Sequence, residues 1–295
     1  MALTLGLEQL GIRVWPVLAE PLPPGYDFLP GADRLGTSLP HPLPDLGIVV
    51  DCDGSARLGP LEPVFLGLPE LIDIDHHATR QTFGTLHWVD PRAAAAGELI
   101  ARLLRALRVR PTPQIATNIY TAILTDTGRF SYSNTSPAAL RTAARMVAAG
   151  ASPVAVYRGR YESKSLPALH LLGRALCSLT VSPDGMVAWA VLDREAFAAA
   201  GAGANDTESI IDVLRTVRGG ELALLFSEQA DGSVRASLRS RGKANVARLA
   251  RAFGGGGHPR AAGCTLPGPL DQAVTRLLAA ARQALADAQH ALAGD

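Results

Sequence analysis

Asp75-His76-His77 closes the apolar run Leu71-Ile72-Asp73-Ile74. Two imidazoles beside a carboxylate offer the nitrogen and oxygen donors that suit Mn²⁺ or a similar divalent ion. Two other apolar runs also end in acids. Gly47-Ile48-Val49-Val50 leads into Asp51-Cys52-Asp53, and Ile119 to Leu124 leads into Thr125-Asp126-Thr127-Gly128-Arg129-Phe130. A single Asp at the end of an element is commonly a cap. Three such ends with a His pair among them point to a shared metal site, and the chemistry such a site supports is metal-assisted hydrolysis. A second group is Gly254 to Gly257 followed by His258, with Arg239-Ser240-Arg241 upstream. Glycines let a backbone approach a ligand closely and offer unblocked N–H groups to an anion. Taken alone, such a run is equally a flexible loop.

Residues so far apart need elements that bring them together. Short apolar runs read as buried parallel strands, which deliver polar residues to the carboxyl edge of a sheet. Strands are expected at 12–19, 47–50 and 71–74, and helices at 97–107, 114–125 and 137–149, the last capped by Ser136 and stopped by Gly150. That is the pattern of an open, mainly parallel α/β sheet. Residues 21–44 are rich in Pro and Gly and read as a surface excursion. A helical connector is expected at 165–179. After it come a strand at 186–192, a helix at 206–217, and strands at 222–226 and 234–238 paired across Ala230-Asp231-Gly232-Ser233. A helix at 244–252, a glycine loop and an Ala-rich amphipathic helix at 271–292 complete the chain. The fold class is therefore α/β. Residues 1–163 form the sheet domain, 164–182 a helical linker, and 183–295 a smaller α/β domain carrying the glycine run.

A chain of 295 residues can build two domains with cores of their own. Its formal net charge of +1 gives no global attraction to polyanions, so any such ligand must be held locally. Lys164 and Lys243 are the only lysines, and this arginine bias is a matter of composition, beside abundant Ala, Leu, Gly and Pro. Cys52, Cys177 and Cys264 are odd in number and lack CxxC spacing. That argues against a zinc ribbon or a disulfide framework and for a reducing compartment. With no leader-like start and no run approaching about 18 apolar residues, a soluble cytoplasmic protein with no membrane partner is expected.

Leu71 to His77, Thr125 to Phe130, and Phe253-Gly254-Gly255-Gly256-Gly257-His258-Pro259-Arg260-Ala261-Ala262-Gly263 together resemble the DHH phosphoesterases that carry a DHH-associated C-terminal domain. Chain size and Arg239-Ser240-Arg241 ahead of the glycines are similar to the nanoRNase and pAp-phosphatase branch. A lone DHH triplet would be weak; DHH, DTGRF and GGGGH in this order are specific, and the resemblance covers nearly the whole chain. It implies metal-dependent hydrolysis of phosphoester bonds in short oligoribonucleotides and of the 3′-phosphate of pAp, with water or hydroxide as nucleophile and no covalent intermediate. The family uses two divalent ions, typically Mn²⁺. By this resemblance Asp51, His76 and Asp126 are metal ligands, with Asp51 bridging the ions. His77 faces the scissile phosphate as a donor, and Asp75 orients its ring. Arg239, Ser240, Gly255, Gly256, Gly257 and His258 match a nucleotide clamp, with Arg241 and Arg260 as weaker candidates. Arg129 is placed either to reach substrate phosphate or to form a structural ion pair. Asp53 and Asp73 are read as solvated or capping carboxylates. The implied partners are short RNA oligonucleotides or nucleotides, and the resemblance allows a homodimer.

Two departures from the family pattern bear on activity. The family opens with a strand and a HxxPDxDxxGS motif that supplies much of the metal site, and residues 1–295 contain no such motif. Leu3, Leu7 and Leu10 begin a helical spacing at once, resembling the helix that follows that motif. The expectation is that Asp51, His76 and Asp126 hold one ion or none, and that residues 1–295 alone have little or no hydrolase activity. Ala93 to Ala96 also stand where the family has small hydroxyl residues before a Gly-Glu pair, here Gly97-Glu98, which removes a substrate contact. One competing reading is a hydrolase of cyclic dinucleotides or their linear products. Another is a nucleotide-binding protein with a decayed metal site, against which the intact Asp51, DHH triplet and Asp126 speak.

Overall fold

The apolar run at 71–74 becomes the middle strand of a parallel sheet, covered on both faces. The computed structural model describes residues 1–23, 25–77, 81–207 and 210–293, with side chains through Ala288. These fall into two compact units, Met1–Ser163 and Lys164–Asp295. The first unit runs α1 (Ala2–Glu8), β1 (Leu46–Val50), α2 (Glu62–Leu66), β2 (Glu70–Asp75), β3 (Leu86–Val89), α3 (Ala96–Ala106), α4 (Pro113–Asp126), α5 (Pro137–Ala148) and α6 (Pro153–Tyr161). The sheet order is β1-β2-β3 and all three strands are parallel, with Val50 opposite Ile74 and Asp75 opposite Val89. Alternation along β2 sends successive side chains to opposite faces. Ile72 and Ile74 join Leu99, Ile115, Ile119 and Ile123 of α3 and α4, whereas Leu71 joins Val49 and Phe65 on the other side.

Helix α4 places an acid at the edge of this sheet. Thr112 accepts the Ile115 N–H as its N-cap and Pro113 opens the first turn, both good starts for a helix. The helix ends at Asp126. Gly128, Arg129 and Phe130 then all take positive φ, a tight left-handed turn in which two of the three are not glycine. It is held by the Arg129 N–H on the Leu124 carbonyl at 2.8 Å and the Phe130 N–H on the Thr127 hydroxyl at 3.1 Å.

The second unit runs α7 (Leu166–Cys177), β4 (Thr180–Val181), β5 (Val187–Leu192), α8 (Arg194–Ala200), α9 (Ile210–Leu214), β6 (Leu222–Glu228), β7 (Val234–Ser240), α10 (Val246–Arg251), β8 (Gly256–His258), β9 (Ala261–Leu266) and α11 (Leu270–Ala293). Its sheet order is β4-β5-β6-β7-β9-β8. Strands β5 and β6 are parallel and the other neighbours antiparallel. Leu222, Leu224 and Phe226 face α10 and α11, while Ala223 and Leu225 face α7, α8 and α9. Among the described residues no helix is long and apolar enough to cross a membrane.

Several expectations need correction. Residues 12–19 form no strand and contribute only a single bridge from Val17 to Gly36; Pro16 in their middle has no N–H to give a ladder. Strand β3 and helix α6 were not expected. The helix expected at 206–217 is reduced to a 3₁₀ turn at Ala204–Thr207 and the short α9, while Glu208 and Ser209 lie outside the described residues. Nor is the glycine run simply a loop, since Gly256–His258 is strand β8, paired with β9. A Cβ at Gly255 would stand 2.1 Å from the Gly263 carbonyl oxygen, and one at Gly257 2.5 Å from that of Ala261. Both positions therefore require glycine for the close approach of β9, whatever else the run binds.

Candidate metal centre and substrate-binding residues

The carboxyl ends of β1 and β2 and the end of α4 converge. Asp51 leaves β1 with φ +64, a left-handed conformation that Asp tolerates better than most residues, while its N–H still bonds the Ile74 carbonyl at 3.0 Å. His76 Nε2 lies 3.2 Å from Asp51 Oδ1 and 3.6 Å from Asp126 Oδ2. Its Nδ1 meets the Ala93 carbonyl oxygen at 3.1 Å, which fixes the proton on Nδ1 and turns Nε2 toward the two acids. His77 Nδ1 donates to Asp75 Oδ1 at 2.7 Å, and the same oxygen accepts the His76 N–H at 2.7 Å. One donor atom from each of Asp51, His76 and His77 lies within 4.8 Å of the other two. Asp51 at the end of β1 and the two histidines at the end of β2 thus form one group, which Asp126 of α4 approaches through His76 Nε2.

The electrostatics of the cluster fit a cation. Burial opposes charge on His76, but the hydrogen bond to Asp51 and the charges of Asp51 and Asp126 outweigh it and push its pKa up to about 9. Burial, reinforced by the Asp51 carboxylate, pushes Asp126 upward as well. His77 is raised chiefly by its bond to Asp75. Asp75, although burial resists its ionisation, is held below the usual carboxylate range by His77 and the backbone N–H groups. Crowded acids therefore collect protons wherever they can, and a divalent ion satisfies the same demand. With the Asp51 carboxylate and two imidazoles grouped within 4.8 Å, and the Asp126 carboxylate 3.6 Å from one of them, the donor set suits Mn²⁺ or a similar ion. A cavity of about 350 Å³ adjoins it, with Asp51, Asp126, Thr125, Gly97, Asn118 and Tyr26 in its wall.

Supporting groups appear here that sequence reasoning did not find. Asn134 Nδ2 donates to the Ala94 carbonyl at 3.1 Å and to that of Asp126 at 3.0 Å, joining the loop that holds His76 to the end of α4. Ala93 to Ala96 are almost fully buried and pack into the core. Glu98 is buried at the start of α3, and burial raises its pKa. The reading of Asp53 and Asp73 as solvated or capping acids needs revision for Asp73, which is fully buried in β2; Asp53 makes a 3.4 Å ion pair with Arg57. Arg129 is exposed and lies over the Tyr161 ring at 5.1 Å.

In the second unit the candidate clamp residues are tied into their own fold. Arg239 Nε bonds Asp212 at 3.2 Å and its Nη1 meets the Leu238 carbonyl. Ser240 is buried, and its hydroxyl donates to Glu221 Oε1 at 2.9 Å. That oxygen also accepts the N–H groups of Gly242 at 2.8 Å and Lys243 at 2.6 Å. Arg241 Nη2 reaches the Arg215 and Val217 carbonyls. Gly255, Gly256, Gly257 and His258 are exposed or half-buried across β8 and the residue before it. Glu221 is therefore the anchor of the 240–243 turn. Its replacement by alanine should destabilise the chain by about 2–3 kcal/mol, because three donors lose a charged acceptor; urea unfolding measures this, and glutamine, which keeps an acceptor oxygen, should cost less.

A DHH triplet at a parallel sheet edge, with a separate sheet unit after it, defines a DHH-type protein with an appended α/β domain. Residues 188–287 match the DHHA1 domain model. The chain is 37% identical over 216 residues to the bifunctional oligoribonuclease and PAP phosphatase NrnA of Thermus thermophilus, an alignment covering 73% of this chain and 64% of that one. It thus spans a little under two thirds of that relative's length. The protein of the same name from Bacillus subtilis is 26% identical over 260 residues, covering 85% and 82%. A Bacteroides fragilis exopolyphosphatase-related protein shares the fold with a TM-score of 0.87 at 23% identity, over 97% of this chain and 86% of the other. Residues 188–287 thus match a DHHA1 domain, and the chain is similar to the DHH-type NrnA proteins.

Proposed function

We propose that the protein is a Mn²⁺-dependent phosphoesterase that degrades short oligoribonucleotides and removes the 3′-phosphate of pAp. The observation that carries this reading is the approach of Asp51 and Asp126 to His76 Nε2 beside the Asp75–His77 pair. The names of the Thermus and Bacillus relatives support the substrate class. Asp51, His76 and Asp126 would hold the ion, which when bound acts as a Lewis acid on the phosphoryl group. His77, with its ring and tautomer set by Asp75, donates a proton or hydrogen bond to a phosphoryl oxygen as charge develops there. Arg239, Gly255 to Gly257 and His258 are the nucleotide-binding groups of the second unit, and the buried Ser240 holds the 240–243 turn through Glu221.

Single-turnover assays with protein in excess read even a slow reaction. Release of phosphate from pAp and of mononucleotide from a labelled diribonucleotide should appear with Mn²⁺ and vanish with EDTA. Nucleotide binding without metal-dependent release from either substrate would overturn the hydrolase reading in favour of a binding protein.

A further inference from the structure

Four side chains of the first unit interleave beside the metal centre. The Arg129 guanidinium lies 5.1 Å from the Tyr161 ring centroid. Arg160 lies 5.5 Å from the same ring and 4.5 Å from that of Tyr26. Tyr157 extends the stack, its ring centroid 5.3 Å from that of Tyr161. Tyrosine is scarce in this chain, five residues in 295, and three of the five meet here. The order along the ladder is Arg129, Tyr161, Arg160, Tyr26, so cations and aromatic faces alternate throughout.

The Tyr26 end borders the candidate site, and the Arg129 end follows Asp126 closely in sequence. Arg129 is the third residue after Asp126, and the left-handed turn fixes its backbone. Tyr26 shares a cavity wall with Asp51 and Asp126. Among the described residues no carboxylate forms a salt bridge with Arg129, which is exposed. A guanidinium that is exposed beside a ring, as Arg129 is, keeps a planar face and an edge of N–H donors available to a ligand. Proteins that bind single-stranded nucleic acid use that pair of features: a base on the planar cation or ring, and a phosphate at the donor edge.

We propose that this ladder is a binding track for a single-stranded oligonucleotide, in which one base stacks on the outer face of Arg129 and the guanidinium edge reaches the adjoining phosphate. The inference rests on the function proposed above for its choice of ligand. Tyr161 is the positioning residue for Arg129, and Arg160 and Tyr26 continue the ladder beyond it.

Fluorescence anisotropy with 5′-fluorescein-labelled penta-adenylate, in EDTA at low salt, tests this on the whole chain. Arg129→Ala and Tyr161→Ala should each raise Kd about five- to fiftyfold, in line with the loss of one stacked base. Tyr161→Phe keeps the ring and should stay within about twofold of the parent. The Arg129→Ala effect should shrink in a Tyr161→Ala background, as expected of two residues acting through one contact. Because Arg129 is exposed, its substitution is informative even if Tyr161→Ala unfolds the chain. Unchanged affinity in Arg129→Ala, or no binding of the pentanucleotide by the parent, overturns the track. Mn²⁺-dependent hydrolysis of pAp separates this from the parent hypothesis. Hydrolysis with ladder-independent RNA binding sinks the track alone, and ladder-dependent binding without hydrolysis supports the track while sinking the hydrolase reading.

Discussion

Replacing His76 with alanine is expected to lower the Mn²⁺-dependent rate on pAp about a thousandfold, ~4 kcal/mol in the barrier. The ring is nearly buried, Nδ1 is held by the Ala93 carbonyl, and Nε2 stands between Asp51 and Asp126. His77, grouped with Asp51 and His76, is tied through Nδ1 to Asp75 and so is less free to take over that position. Asp126→Asn should be comparably damaging, since it removes a charge from the same donor set. Asp75→Asn should cost less, about ten- to a hundredfold, because it only loosens the ring it orients. The order of these losses carries the information. Calorimetry should show Mn²⁺ binding lost in His76→Ala and kept in Asp75→Asn, with the rate falling in both. A His76→Ala protein within tenfold of the parent rate would remove His76 from the metal site and dissolve the constellation.

What the sequence could disclose follows from which groups leave a trace in side-chain pattern. The run at 71–74 announces a strand covered on both faces, and the DHH triplet marks its carboxyl end. Helix α4 declares itself by its apolar period and its Thr112-Pro113 start, and Ser136 heads α5 as expected. Strand β3, by contrast, is Leu-His-Trp-Val at a half-exposed sheet edge, so neither a buried run nor a clean alternation marks it. Residues 12–19 looked apolar enough for a strand, but a central proline cannot supply the ladder. The support of His76 comes from a backbone carbonyl, which is the same atom at every position and leaves no signal. Glu221 stands nineteen residues before the Ser240 hydroxyl it accepts, an ordinary acid until β6 and β7 pair. Glycine composition is ambiguous in a different way. Gly255 and Gly257 satisfy the close approach of a neighbouring strand, which in sequence looks the same as an approach by a ligand.

Without metal, the chain is expected to lose stability as pH rises from about 6.5 to 9, and Mn²⁺ is expected to restore it. The His76 proton is held up to about pH 9 in the folded protein, against about 6.5 for a freely solvated imidazole. Below 6.5 both folded and unfolded chains carry that proton, and its full stabilising contribution is present. Between the two values the folded chain binds more protons than the unfolded one, so stability falls with rising pH, and above 9 the contribution is gone. Its size is on the order of 3 kcal/mol. The raised Asp126 acts in the same direction at lower pH, through the range in which the folded chain still holds a carboxyl proton that the unfolded chain has released. A divalent ion must displace the His76 proton to bind. Its affinity should therefore rise about tenfold per pH unit between about 7 and 9, with close to one proton released per ion there. Below about 7 the rise should be steeper, because Asp126 must also lose a proton. Urea unfolding in EDTA at several pH values, for the parent and for His76→Ala, isolates the effect. The parent should weaken across the window while the variant stays comparatively flat, and proton release should appear in calorimetry as a dependence of the binding heat on buffer ionisation. Parallel stability curves for the two proteins would mean that His76 is not charged in the metal-free fold. The acids around it would then be balanced by some other group.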